Sequence, residues 1–202
     1  MNKRHDSGDT KENILIAARD ILIRKGYDGT KMEDIAKKAG VSKIMLYYHF
    51  KSKENILKEL IGRMIDATRK NISGYLEGMK NQKTIKPEMI LEKLKKVIGK
   101  ETPLIRIIIS EVLRGKLDYW IALSLLRDLY DDLYNMRRKA GISLEDRESC
   151  ITKLFFFQGL PLIMYFCTSE YFGKVYGIEA EKMETAFSEK FADSLLRTLD
   201  LN

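Results

Sequence analysis

The sequence is poor in the residues that rigid or cross-linked architectures require. Three prolines and two cysteines in 202 residues exclude a polyproline rod and a disulfide framework. Cys150 and Cys167 stand without a CxxC motif or a neighbouring histidine, so no zinc site is indicated. Histidine is as scarce as cysteine, with only His5 and His49, and no carboxylate motif accompanies either. The acid pairs Asp131-Asp132 and Glu145-Asp146 match no catalytic or metal-binding spacing and read as solvated helix faces or caps. No enzyme chemistry, metal or cofactor is expected. Long apolar runs are also missing: Leu154 to Cys167 is interrupted by Gln158 and Pro161 and falls short of the roughly 20 residues of a membrane span. The basic residues near Met1 are followed by no apolar segment, so a secretory signal and a membrane partner are not expected. The reading is a cytoplasmic protein with reduced thiols.

What the chain does hold is 45% hydrophobic content, enough for a packed core, carried on long stretches of Leu, Ile, Lys and Glu. Few β-branched runs break this pattern, and an all-α fold is the expectation. Charge is uneven. Residues 1–100 carry 23 Lys and Arg against 13 Asp and Glu, a net of +10, whereas residues 101–202 carry 13 against 16, a net of −3. A basic half joined to a mildly acidic one suggests that the first half meets a polyanion.

Helix signals follow a polar arm, residues 1–9. Ile14, Ala17, Ala18, Ile21 and Leu22 recur at helical steps from about Thr10 to Lys25, and Gly26 supplies a stop. Thr30-Lys31-Met32-Glu33 has the form of a capping box and predicts a second helix beginning at Thr30 and ending at Gly40. Ser42 caps a third, Lys43 to about His49, and Ser52 a fourth running to near Met79, with Glu54 in its positive first turn. Further helices are expected over Pro87 to Ile98, Pro103 to Arg114, Leu117 to Ala140, Leu144 to Glu170 and Glu179 to Leu199. No internal repeat or low-complexity tract appears, so the fourth helix is expected to link an N-terminal domain, residues 10–56, to a C-terminal one, residues 57–202.

Two short helices joined by Ala39-Gly40-Val41-Ser42 have the form of a helix-turn-helix, whose second helix enters the DNA major groove. From Val41 to Lys53 there are three lysines, Lys43, Lys51 and Lys53, and no acid, with Tyr47, Tyr48 and His49 interleaved. Residues of this kind anchor phosphates.

The segments Ile16-Ala17-Ala18, Gly26-Tyr27, Thr30-Lys31-Met32, Ile35-Ala36, Ala39-Gly40-Val41-Ser42 and Leu46 through Glu54 resemble the N-terminal signature of the TetR/AcrR repressors. The likeness covers about the first quarter of the chain. It implies an all-helical homodimer with a three-helix DNA-binding domain spanning a helix-turn-helix at about residues 31–50. A divergent C-terminal domain would serve dimerisation and a small-molecule effector. Carried over by position, Thr30, Lys31, Tyr47, His49 and the amide or side chain of Lys53 would touch the DNA backbone. Ser42, Lys43, Ile44, Met45 and Tyr48 would face bases or nearby phosphates. Ile44 stands where the family commonly has Gly, Ala or Pro, and Met45 where it has a small Thr, Ser or Ala. Neither offers a strong hydrogen-bonding group, so contact with thymine methyls, or core packing in the case of Met45, is the expectation.

In the last helix Met183, Phe187, Phe191, Leu195 and Leu199 repeat every four residues. The preceding one, through Ile151, Leu154, Phe155, Leu162 and Tyr165, is apolar on more than one face. Two such helices per subunit are expected to build a four-helix dimer interface, with intramolecular packing as the alternative. Arg106, Tyr119, Trp120, Phe156, Gln158, Met164 and Tyr165 are the candidate lining of an effector pocket, an apolar set with a few polar handles, against ordinary core as the bland alternative. Such a dimer would bind a near-palindromic operator and be released from it by the effector. Non-specific, architectural DNA binding without an effector is the competing reading.

Overall fold

The computed structural model describes residues 7–79, 87–115, 117, 119–139 and 145–198, and every regular element among them is helical. In order they are α1 (Ser7–Gly29), α2 (Met32–Ala39), α3 (Lys43–His49), α4 (Lys53–Met79), α5 (Pro87–Ile98), a 3₁₀ turn (Gly99–Glu101), α6 (Thr102–Leu113), α7 (Tyr119–Lys139), α8 (Arg147–Lys153), a π turn (Leu154–Gly159), α9 (Leu160–Tyr176) and α10 (Ala180–Thr198). Residues 7–9, expected in the polar arm, belong to α1; residues 1–6 and Leu199 lie outside the described residues. The helical path of α1 breaks where glycine was expected to stop it, at Gly26 (φ 69°, ψ 179°).

The chain divides into two compact units: Met1–Met64 with Arg106–Leu123, and Ile65–Ile105 with Ser124–Asn202. The division differs from the expected cut after residue 56, because the end of α6 and its following turn group with the N-terminal helices. There Arg114 pairs with Asp28 at 3.0 Å and with Glu111 at 3.2 Å, and Leu117 is buried.

In the first unit Ile14, Ala17, Ala18, Ile21 and Leu22 form the buried stripe of α1, and Ile35, Ala36, Leu46, Ile56 and Leu57 bring α2, α3 and α4 into the same unit's core. Ion pairs stitch its surface: Lys11 to Glu59 at 2.8 Å, Lys25 to Asp34 at 2.8 Å, and Lys38 to Asp20. The lysine beside each carboxylate lowers the Glu59, Asp34 and Asp20 pKa values from their ordinary range.

In the second unit Leu91 of α5, Leu162 of α9 and Phe191 and Ala192 of α10 form one buried cluster, while Tyr130 of α7, Cys150 of α8 and Leu154 form another. The acid pairs of the sequence are caps and ion pairs here: Asp131 meets Arg147, Asp132 meets Arg69, Glu145 meets Lys153, and Asp146 caps α8 by accepting from the Ser149 amide at 2.9 Å.

Pro161 lacks an amide hydrogen, and its ring collides with the carbonyl four residues earlier in a regular α-helix. The widened π turn immediately before it accommodates the ring and carries the helix on. Helical structure is consequently continuous from Arg147 to Tyr176, a run long and apolar enough to cross a membrane by length and composition alone. The sequence had suggested too short a stretch, because Gln158 and Pro161 read as interruptions. Gly159 in the turn is held against Tyr130, where a Cβ would overlap Tyr130 Oη and sit 3.4 Å from the Leu154 carbonyl oxygen. Burial of the Tyr130 phenol pushes its pKa up to about 12.

Candidate nucleic-acid interface

The turn between α2 and α3 is made by Gly40, in the left-handed region at φ 69° and ψ 29°, which an L side chain rarely adopts. The Val41 amide donates to the Ala36 carbonyl at 3.0 Å, closing the end of α2. Ser42 then turns extended and its Oγ accepts from the Met45 amide at 3.1 Å, the expected cap of α3. Leu46 is fully buried and Phe50 nearly so, which fixes the inward face of this short helix. Ser52 caps α4 in the same way, accepting from the Asn55 amide at 3.2 Å.

The capping box expected at Thr30 does not form. Lys31 occupies the N-cap position of α2 without a side-chain cap bond, and Thr30 is 2% exposed, its hydroxyl donating to the Gly26 carbonyl at 2.7 Å. The break in α1 leaves that carbonyl needing a donor, and Thr30 supplies it, so its side chain is withdrawn from the surface where a phosphate contact was expected. Glu33 instead pairs with Lys43 at 3.2 Å; its own backbone amide, and then Lys43, lower its pKa.

Lys53 also turns inward. Its Nζ donates to the Tyr27 carbonyl and, at 3.0 Å, to the Thr30 carbonyl, and lies 4.1 Å from the centre of the Tyr27 ring. The side chain therefore ties the start of α4 to the connection between α1 and α2, and any phosphate contact from this residue falls to its amide. Burial raises the Tyr27 phenol pKa, helped by Glu54, Glu111 and Asp28. His49 is half-buried with Nε2 enclosed and without a hydrogen-bond partner among the described residues, so that nitrogen does not reach a phosphate.

The remaining expected DNA contacts are at the surface. Lys31, Ser42, Lys43, Met45 and Tyr47 are exposed, and Ile44 and Tyr48 are the most open, at 84% and 80%. α3 thus presents an apolar and aromatic outer ridge flanked by lysine, with no acid from Val41 to Lys53.

The residues of the proposed effector set are divided between the two units. Arg106 falls in the first unit, whereas Gln158 and Tyr165 fall in the second. Gln158 is buried and donates to Ser194 Oγ at 2.8 Å, and Tyr165 stacks on Phe187 with ring centres 4.0 Å apart. Phe156 and Met164 are exposed, at 56% and 47%. The side chains of Tyr119 and Trp120 lie outside those described.

The expected dimer residues are also redistributed. Leu162 and Phe191 are buried in the cluster that joins α5, α9 and α10, with Phe187 and Leu195 packed against it, and Ile151 and Phe155 pack on the Tyr130 cluster. The Met183 methyl faces Gly173 of the same chain. These side chains serve their own unit because α5 and α9 supply the cover that the stripe of α10 needed. What stays open is the other face of the π turn and α9: Phe157, Leu160, Met164, Tyr171 and Val175, at steps of three and four residues or their sum, all exposed. The same periodicity was present in the sequence, on a helix that read as apolar on more than one face.

Two short helices around a left-handed glycine, the second capped and exposed along its outer ridge, define a helix-turn-helix domain. Residues 14–60 match the model of the family described as bacterial regulatory proteins, tetR family. Among similar proteins, the biofilm operon icaADBC HTH-type negative transcriptional regulator IcaR of Staphylococcus aureus (strain Newman) is 43% identical over 51 residues, which make up 25% of this chain and 27% of IcaR. The match therefore spans about a quarter of each protein. Two solved structures share the fold over nearly the whole length. A TetR-family transcriptional regulator from Mesorhizobium loti has a TM-score of 0.66 at 21% identity, covering 99% of this chain and 98% of that one. The regulator FadR from Bacillus subtilis, in complex with stearoyl-CoA, has a TM-score of 0.61 at 19% identity, covering 90% and 95%.

Proposed function

We propose that the protein is a homodimeric, sequence-specific DNA-binding transcriptional regulator whose C-terminal unit responds to a small-molecule effector. The observation that carries this reading is α3 itself: it is held by Leu46, capped by Ser42, and turns Lys43, Ile44, Met45, Tyr47 and Tyr48 outward from a segment without a single acid. A helix so presented fits the major groove, and its flanking lysines meet phosphates. Lys31, Ser42, Lys43, Ile44, Met45, Tyr47 and Tyr48 form the proposed DNA surface.

A single short recognition helix reads few base pairs, and a two-fold dimer doubles the site while demanding a near-palindromic operator. The exposed ridge from Phe157 to Val175 is the seam proposed for the second copy, since contiguous apolar faces of this size mark interaction surfaces. FadR in its solved complex holds a long-chain acyl-CoA, and the second unit of this chain is likewise built on aliphatic and aromatic side chains. Acyl-CoAs are accordingly the first effectors to test. An effector that prefers one spacing of the two recognition helices shifts the population toward release or capture of DNA. Whether the result is repression or activation depends on where the operator lies relative to a promoter.

The test is selection of bound sequences from a random duplex pool. A near-palindromic winner is expected, with binding lost in a Lys43→Ala, Tyr47→Phe double variant. A pool without consensus at fixed salt refutes sequence-specific regulation and supports the architectural alternative. Sedimentation of a Met164→Glu, Val175→Glu variant checks the seam: a folded monomer is expected, and an unchanged dimer places the interface elsewhere.

A further inference from the structure

Resting on the DNA-binding reading, we infer that α3 reads its half-site through the 5-methyl groups of pyrimidines, with Ile44 as the residue that detects them and Tyr48 as its neighbour on the same ridge. At 100° per residue and with Leu46 pointing straight into the core, Ile44 and Tyr48 project at about 160° on either side, the two outermost directions of the helix. Met45 and Tyr47 flank them at about 100°, and Lys43 and His49 lie within about 60° of the buried line. The exposures follow this geometry: 84% for Ile44 and 80% for Tyr48, but 43% for Met45 and 47% for Tyr47.

The chemistry of that outer ridge is restricted. Base edges are distinguished in the major groove by Arg or Lys on guanine, Asn or Gln on adenine, an acid on cytosine, and apolar contact on the thymine methyl. The ridge contains none of the first three classes. The nearby polar groups stand off this ridge: Ser42 precedes the helix and its Oγ accepts from the Met45 amide, and Lys43, on the flank, pairs with Glu33. Of the two outermost side chains the isoleucine is the wholly apolar one and the slightly more exposed, and its methyl groups complement a pyrimidine 5-methyl. Met45, on the flank at about 100° from the buried line and 43% exposed, is less presented than Ile44. Thymine and 5-methylcytosine carry the same group, so both are recognised.

The experiment takes the selected operator and replaces each thymine under α3 singly by uracil, then replaces the sensitive T·A pair by C·G or by 5-methyl-C·G. At one or two positions per half-site uracil should weaken binding about fourfold, the worth of one buried methyl-sized group. The 5-methylcytosine duplex should bind more tightly than the cytosine one by a similar factor. In an Ile44→Ala protein, exposed at that site and expected to fold, thymine and uracil operators should bind alike. A sequence-specific operator whose uracil and 5-methylcytosine versions bind unchanged overturns this inference alone, as does an Ile44→Ala variant that keeps the full methyl dependence. Absence of any selected operator overturns it together with the DNA-binding reading.

Discussion

Replacing Lys53 by methionine separates a folding clamp from a phosphate contact. The methionine keeps most of the alkyl stem but removes a charged donor from the Tyr27 and Thr30 carbonyls and a cation from the face of the Tyr27 ring. A hydrogen bond with one charged partner contributes roughly 1.5–3 kcal/mol, and an exposed cation–π contact roughly 0.5–1 kcal/mol. Because the ammonium is only half-buried, the two bonds and the ring contact together are worth about 3 kcal/mol rather than their full sum. For a chain of this length that corresponds to a fall in Tm of roughly 6–12 °C, measurable by circular dichroism. Salt-dependent binding to the selected operator supplies the second reading. Each phosphate contact contributes about 0.9 to the slope of log K against log salt. A clamp leaves that slope unchanged when it is removed, whereas Lys31→Ala, at an exposed position, should lower it by about 0.9 per subunit. A Lys53→Met protein that melts with wild type yet loses the slope increment would refute the clamp and restore Lys53 to the DNA surface.

Three further outcomes are expected. Ser42→Ala should cost about 1 kcal/mol of stability by leaving the Met45 amide uncapped, while Ser42→Asn, an equally good cap, should not; coincident urea midpoints for all three proteins would show that the cap contributes nothing. Gly159→Ala should be destabilising, because overpacking of roughly 1–3 kcal/mol outweighs a helix-propensity gain of at most about 1 kcal/mol. In combination with Tyr130→Phe the overlap with the hydroxyl is gone and the new methyl meets the Leu154 carbonyl oxygen at 3.4 Å and the Cζ edge of the ring at 3.6 Å, so the double variant should recover part of the loss; strictly additive losses in a double-mutant cycle would contradict this. The buried Tyr130 phenol, raised from 10 to about 12, ionises first in the unfolded chain. Its contribution is therefore complete below pH 10 and lost as pH rises toward 12, by about 2–3 kcal/mol at most. Urea midpoints at pH 8 and pH 11 should converge in Tyr130→Phe relative to wild type, and an equal alkaline loss in both proteins would exclude this phenol as the cause.

The N-terminal unit was legible in detail because its signals are local. Gly40 and Ser42 act through the conformation and hydrogen bonds of residues at most three or four positions away, and the stripe of α1 is one helix turning one face inward. The errors there came from competition for a single polar group. A Thr-x-x-Glu spacing describes a capping box, yet Thr30 Oγ1 had a nearer obligation at the Gly26 carbonyl, created by a break in α1 that the spacing does not encode. Lys53 fails in the same way: a lysine in a basic segment suggests phosphate, and only tertiary structure reveals two carbonyls within its reach.

In the C-terminal unit the limit is of another kind. Periodicity reports that a helix face requires cover and is silent about which molecule provides it. The stripe of α10 is as regular as a coiled-coil seam, but α5 and α9 already occupy it, with Phe187 sandwiched between Tyr165 and Phe191. A helix apolar on two faces makes a different demand, because one neighbour can cover only one of them. That asymmetry leaves an open apolar face on α9, while on α10 Phe191 is buried and Phe187 and Leu195 pack against its cluster. The interface and the fold are built from the same side-chain types at the same spacing, so only the count of faces against available neighbours distinguishes them. By that count the ridge from Phe157 to Val175 is an apolar face without cover among the described residues, and the proposed dimer seam draws on that observation.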